Sequence, residues 1–80
     1  MEQITDINFI PVANMRQALE DSGLALMRAS LSIGWGKDGK RLRRTLGYET
    51  YNGKHATHVE YDVAVRMVKA WRLDPVDYGV

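Results

Sequence analysis

The stretch 34-GWGKDGKRLRRTLGY-48 decides how this chain is read. Three glycines lie in its first six residues, and five cationic side chains fall within the eight positions 37–44. Gly34, Gly39 and Lys40 match most of a G-x-x-x-x-G-K-[ST] nucleotide phosphate loop, but Arg41 stands where that loop needs a magnesium-binding hydroxyl. Such a loop also rises from a buried strand of an α/β sheet, whereas the preceding "LALMRASLSI" has helical patterning and 80 residues leave no room for that sheet. The remaining reading is a turn entering a short cationic helix. Asp38 can accept from the unpaired amides of its first turn, and Gly47 stops it. At about 100° per residue, Leu42 and Leu46 share an inward face, Lys40 and Arg44 point nearly opposite, and Arg41 and Arg43 flank them.

The pattern outside this segment is mainly helical. Residues 1–10, "MEQITDINFI", alternate loosely and read as an arm or short strand, with Asn8 a turn former and Pro11 the first residue of a helix. Val12, Met15 and Leu19 recur at helical spacing, with Arg16, Gln17 and Glu20 on the other face, until Gly23 closes that helix. A second helix runs from about residue 24 to 33, with Leu24, Met27 and Leu31 as its apolar stripe. Asn52-Gly53 is a strong type I′ turn signal, so residues 48–51 and 54–59 are expected to pair as a β-hairpin. Ala64, Met67, Val68 and Trp71 mark the most regular helix, broken at Leu73-Asp74-Pro75. A final short turn, "PVDYG", is expected to fold Val76 back on the core.

One domain over residues 1–80 is the expectation from this length. The absence of cysteine excludes a disulfide framework and a thiolate zinc site, and fits a reducing cytoplasm. No apolar run approaches the roughly 20 residues that cross a bilayer, so no membrane role is expected. His55 and His58 lie three apart on a strand, point to opposite faces and read as exposed rather than as metal ligands. No nucleophile, base or paired carboxylate stands at catalytic spacing, so the chain reads as a non-enzyme without cofactor.

Charge is the informative quantity. Residues 37–58 carry Lys37, Lys40, Arg41, Arg43, Arg44 and Lys54 against Asp38 and Glu49, a net of +4, while the flanking segments are each net negative. The excess lies in one place, as on a surface for polyanions.

The succession of helix, helix, glycine-containing turn, cationic helix and long amphipathic helix resembles the helix-turn-helix DNA-binding family of the phage repressor and Cro type. The resemblance covers residues 12–80. "ALEDSGLALMRASLSIGW" is similar to the first and scanning helices, "DGKRLRRTLGY" to the recognition helix, and "VEYDVAVRMVKAWRLDPVDYGV" to the closing helix. "RLRRTLG" with a hairpin-like insert and "Y-x-x-A-V-R" also look like small regulators of actinobacterial phages and mobile elements. Three departures are Ser30, where the family's motif has alanine, the longer turn from Gly34 to Leu42, and the hairpin insert, which suggests a winged variant.

What the resemblance implies is a four- to five-helix domain with a small β-hairpin wing, residues 48–59, between its third and fourth helices. It implies a repressor-like transcriptional regulator in the cytoplasm of a bacterial or phage-infected cell, bound to double-stranded DNA and able to pair as a homodimer. Helix 39–46 would lie in the major groove, with Lys40, Arg41 and Arg44 at base edges. Lys37, Arg43 and Lys54 would take phosphates, and Thr45, Tyr48 and His55 would complete the contact surface. The alternative is a phage-encoded interaction module whose basic face binds and inhibits or redirects an acidic host protein.

Overall fold

A computed structural model describes residues 9–80; the first eight residues of the expected arm or strand, with the turn at Asn8, lie outside the described residues. The element order is β1 (Phe9–Pro11), α1 (Val12–Ser22), α2 (Leu26–Ser32), α3 (Lys40–Thr45), β2 (His58–Glu60), α4 (Tyr61–Ala70) and a closing 3₁₀ turn (Pro75–Tyr78). This is an α-rich domain with four α-helices and one two-stranded antiparallel sheet among the described residues. No helix among them is long and apolar enough to cross a membrane.

Both strands run directly into a helix. β1 pairs with β2 in the register Phe9 with Glu60, Ile10 with Val59 and Pro11 with His58. Ile10 and Val59 face each other across the ladder and both are buried, so the sheet joins the core through one cross-strand pair. Pro11 ends β1 at φ −56 and ψ 138, so the helix begins one residue later than the sequence suggests. The Val12 amide, free at the helix N-terminus, donates to Thr57 O at 3.0 Å.

This ladder corrects the expected hairpin. Asn52 and Gly53 form the predicted turn, at φ 55 and 79, as type I′ requires. Pairing across it stops at a single bridge, Tyr51 with Lys54. Val59 has its partner in Ile10 instead of residue 48 or nearby, because Ile10 offers a buried apolar neighbour that the polar segment 48–50 does not.

The core takes Val12, Met15 and Ala18 from α1, Leu42 and Leu46 from α3 and its end, Ala64, Met67 and Val68 from α4, and Trp71 and Tyr78 from the C-terminal segment. Met15, Leu42, Leu46, Met67 and Val68 are fully buried. Truncating either leucine to alanine removes about 2–5 kcal/mol by the usual cavity cost. Leu19, expected in the α1 stripe, is only partly buried, and Ala18 takes the inner position.

α2 is the larger correction. Leu24, Met27 and Leu31 do not enter the core; they are 37%, 54% and 48% exposed. The buried side is Ala29, Ser30 and the following Ile33, with Leu26 against Gly39, the residue just before α3. The reason is Trp71: its indole Nε1 donates to Ala29 O at 3.3 Å and Ser32 Oγ at 3.0 Å, which requires small residues on the facing side. Val76 is likewise outside, at 80% exposure, and Tyr78 fills the inward place expected for it. The Tyr78 hydroxyl donates to Asp21 Oδ2 at 2.6 Å, and Asn14 Nδ2 donates to Tyr78 O at 3.0 Å, which ties the C-terminal turn to α1. Hydrogen bonding to the Asp21 carboxylate, helped by burial, pushes the Tyr78 phenol up to about 12. The bonds from Tyr78 and then Gln17 hold the Asp21 carboxyl below its ordinary value.

Candidate nucleic-acid interface

A six-residue helix does not stand alone in water, so α3 must be held from outside. Its start is a turn in which Gly39 takes φ 69 and Asp38 Oδ1 accepts the Lys40 amide at 3.0 Å, the cap expected from the sequence. Leu42 and Leu46 anchor its inner face. Its end is a paired closure: the Gly47 amide donates to Arg44 O at 3.1 Å and the Tyr48 amide to Arg43 O at 2.9 Å, with Gly47 at φ 78.

Two side chains complete that end. Arg16 Nε donates to Leu46 O at 2.6 Å, and His55 Nδ1 lies 2.8 Å from Gly47 O. Terminal carbonyls that no helix bond can satisfy thus meet donors from α1 and from the segment after the turn. The periodicity of α1 puts Arg16 on a solvent face, so nothing in the sequence marks it as part of this surface.

Every cation of the cluster sits on or around α3, and several are held by rings. The Arg41 guanidinium lies 4.1 Å from the centroid of Trp35, Arg44 lies 5.4 Å from Tyr51, and Arg16 lies 5.1 Å from Tyr48. Each such contact is worth roughly 0.5–1 kcal/mol at an exposed site and restricts a long side chain to one sector. Trp35, which could have served as core or surface, does both: it packs against the core and carries Arg41.

Arg43 differs from its neighbours. Its Nε donates to Glu49 Oε2 at 2.6 Å, with both side chains about two-fifths exposed, so the pair braces the exit of α3 against the segment that follows. At that exposure it adds about 0.2–1 kcal/mol. Lys37, Lys40 and Lys54 are exposed, Thr45 is half-buried beside them, and His55 and His58 are both exposed, as expected. Among the candidate residues, then, Lys37, Lys40, Arg41, Arg44, Tyr48, Lys54 and His55 reach solvent around α3, while Arg43 is engaged within the fold.

The two acidic residues of the segment do not offset this surface at its centre, since Asp38 caps α3 and Glu49 holds Arg43. What the arrangement offers chemically is a convex cationic helix with planar donors, flanked by flat rings. It can bind a polyanion by charge and by planar hydrogen bonding. Comparison with protein-family models, with curated proteins and with solved structures gave no match.

Proposed function

We propose that this domain binds double-stranded DNA, as a small repressor-like regulator of the helix-turn-helix type, with α3 in the major groove. The observation that supports this most is the division of α3 itself. Leu42 is buried on one side, and Lys40, Arg41 and Arg44 are carried on the others, two of them set by Trp35 and Tyr51. Arginine held in a fixed sector pairs bidentately with guanine O6 and N7, and supplies the base contacts. Lys37, Lys54 and Arg16 border the helix and take phosphates, which position the protein without reading sequence. Thr45, Tyr48 and His55 lie within the same surface. Arg43 acts by bracing α3 through Glu49. The Asn52-Gly53 turn stands beside Arg44 through Tyr51 and serves as a minimal wing.

The test is binding to random-sequence duplex DNA as a function of salt. Several phosphate contacts make log K fall linearly with log salt, with a slope of about −0.9 per phosphate neutralised. Lys54→Ala should lower that slope by about one and weaken all sequences alike. Absence of binding to duplex at low salt would sink the DNA reading and leave the cationic face to an acidic protein partner.

A further inference from the structure

Nine described residues have positive φ: seven glycines, Asn52 and Arg72. Arg72 sits at φ 62 just past α4, where its amide donates to Lys69 O at 3.1 Å and the Leu73 amide to Val68 O at 2.9 Å. The same paired closure occurs at Gly34, Gly47 and Gly79. Glycine is the residue that takes this conformation without a steric penalty, and the chain uses it at the other three closures. Arg72 keeps a side chain at a position where the backbone favours none. Among the described residues, that side chain makes no hydrogen bond or ion pair within the fold.

Arg72 lines a cleft with Arg28, Leu24, Ser32 and Ala70, and both charged residues of that lining are arginines. Beside it lies an exposed apolar stripe, Leu24 ahead of α2 with Met27 and Leu31 on it. The face is therefore apolar with a cationic rim. The closing turn is its complement. Val76, the most exposed of the large apolar side chains, stands between Asp74 and Asp77, both exposed.

We propose that these are the two halves of one interface between two copies of this chain. The Val76 turn of one protomer docks on the α2 stripe of its partner, with Asp77 against Arg72 and Arg28. Arg72 lies only four residues before Val76, so the two halves adjoin on one protomer. Docking about a two-fold axis then uses both halves twice and closes the assembly as a dimer instead of a filament. The patches are small compared with the roughly 1,600 Å² of a standard interface, so the dimer is weak and concentration-dependent. The inference does not rest on α3 reading DNA, and its test contains none.

Sedimentation velocity and light scattering over a wide concentration range should show a monomer–dimer equilibrium that weakens as salt rises. Arg72→Glu alone and Asp77→Arg alone should each remain monomeric, because like charges then meet at both contacts. Mixed in equal amounts they should dimerise, because in the mixed pair both contacts are complementary. Arg72→Gly relieves the backbone, so it should unfold at a higher temperature than the native chain and yet dimerise at least about tenfold more weakly. A native chain monomeric at every concentration, single variants that associate as tightly as the native chain, or an equal mixture that stays monomeric would overturn the proposal.

Discussion

Gly47→Ala is the substitution whose cost the structure fixes most closely. Gly47 lies at φ 78, and a Cβ built there would sit 2.6 Å from Ala56 O and 2.5 Å from Arg16 Nη2. The left-handed backbone alone costs an alanine about 1–2 kcal/mol. The Arg16 head can swing away, though it would then leave Leu46 O. Ala56 O belongs to backbone that cannot retreat freely, because the next carbonyl, Thr57 O, accepts the first amide of α1. Forcing a methyl into such a place adds about 1–3 kcal/mol, for a total of about 2–5 kcal/mol. Gly34→Ala is the matched control, since Gly34 closes α2 with the same bond pair at φ 79 but has nothing within 4 Å of its Cβ position. That control should lose only the backbone share. For a domain of this size each kcal/mol moves the midpoint by roughly 4–8 °C, so thermal or urea unfolding followed by circular dichroism separates the two variants. If Gly47→Ala and Gly34→Ala unfold within about 1 kcal/mol of each other, the close approach of α1, α3 and residue 56 is not what holds this end of α3.

Other expectations are more compact. Ser30 Oγ is fully buried without a hydrogen-bond partner, so Ser30→Ala should stabilise the fold by about 1 kcal/mol in urea unfolding; a loss of that size would mean that the hydroxyl has a partner. The Asp21–Tyr78 bond sets a pH dependence at both extremes. With the folded Asp21 value lowered, its contribution is complete above the ordinary carboxylate value of 3.8 and is lost as pH falls through the folded value. With Tyr78 raised from 10.0 to about 12, its contribution is complete below 10.0 and is lost as pH rises toward 12. Tyr78→Phe should flatten the stability profile in both windows, and an unchanged profile would discount the bond. If α3 reads DNA, Arg44→Ala should relax discrimination at one base pair by about 1–3 kcal/mol in competition binding, whereas a uniform loss across sequences would make Arg44 a phosphate contact. Arg43→Ala should leave the salt slope unchanged and Lys37→Ala should lower it by about one, and the reverse result would exchange their roles.

The sequence by itself determined the features that depend on neighbours along the chain. Asp38 as the cap of α3, Gly23 and Gly47 as stops, the Asn52-Gly53 turn, the burial of Leu42 and Leu46, and the core face of α4 all follow from side-chain spacing and backbone preference within a few residues. The concentration of charge in residues 37–58 is a property of composition and carries over to the surface, Arg43 apart. Tertiary structure decided whatever had two local solutions. Residues 24–33, α2 and its two flanks, carry one apolar face of Leu26, Ala29 and Ile33, and another of Leu24, Met27 and Leu31; so short a periodicity cannot choose between them, and the Trp71 indole does. Val59 could have paired across the Asn52-Gly53 turn, but Ile10, 49 positions away, offers the buried partner. Arg16 enters the cationic surface, and Arg43 is taken up by Glu49, for the same reason: which donors an orphaned carbonyl or a carboxylate meets is set by elements that only packing brings together.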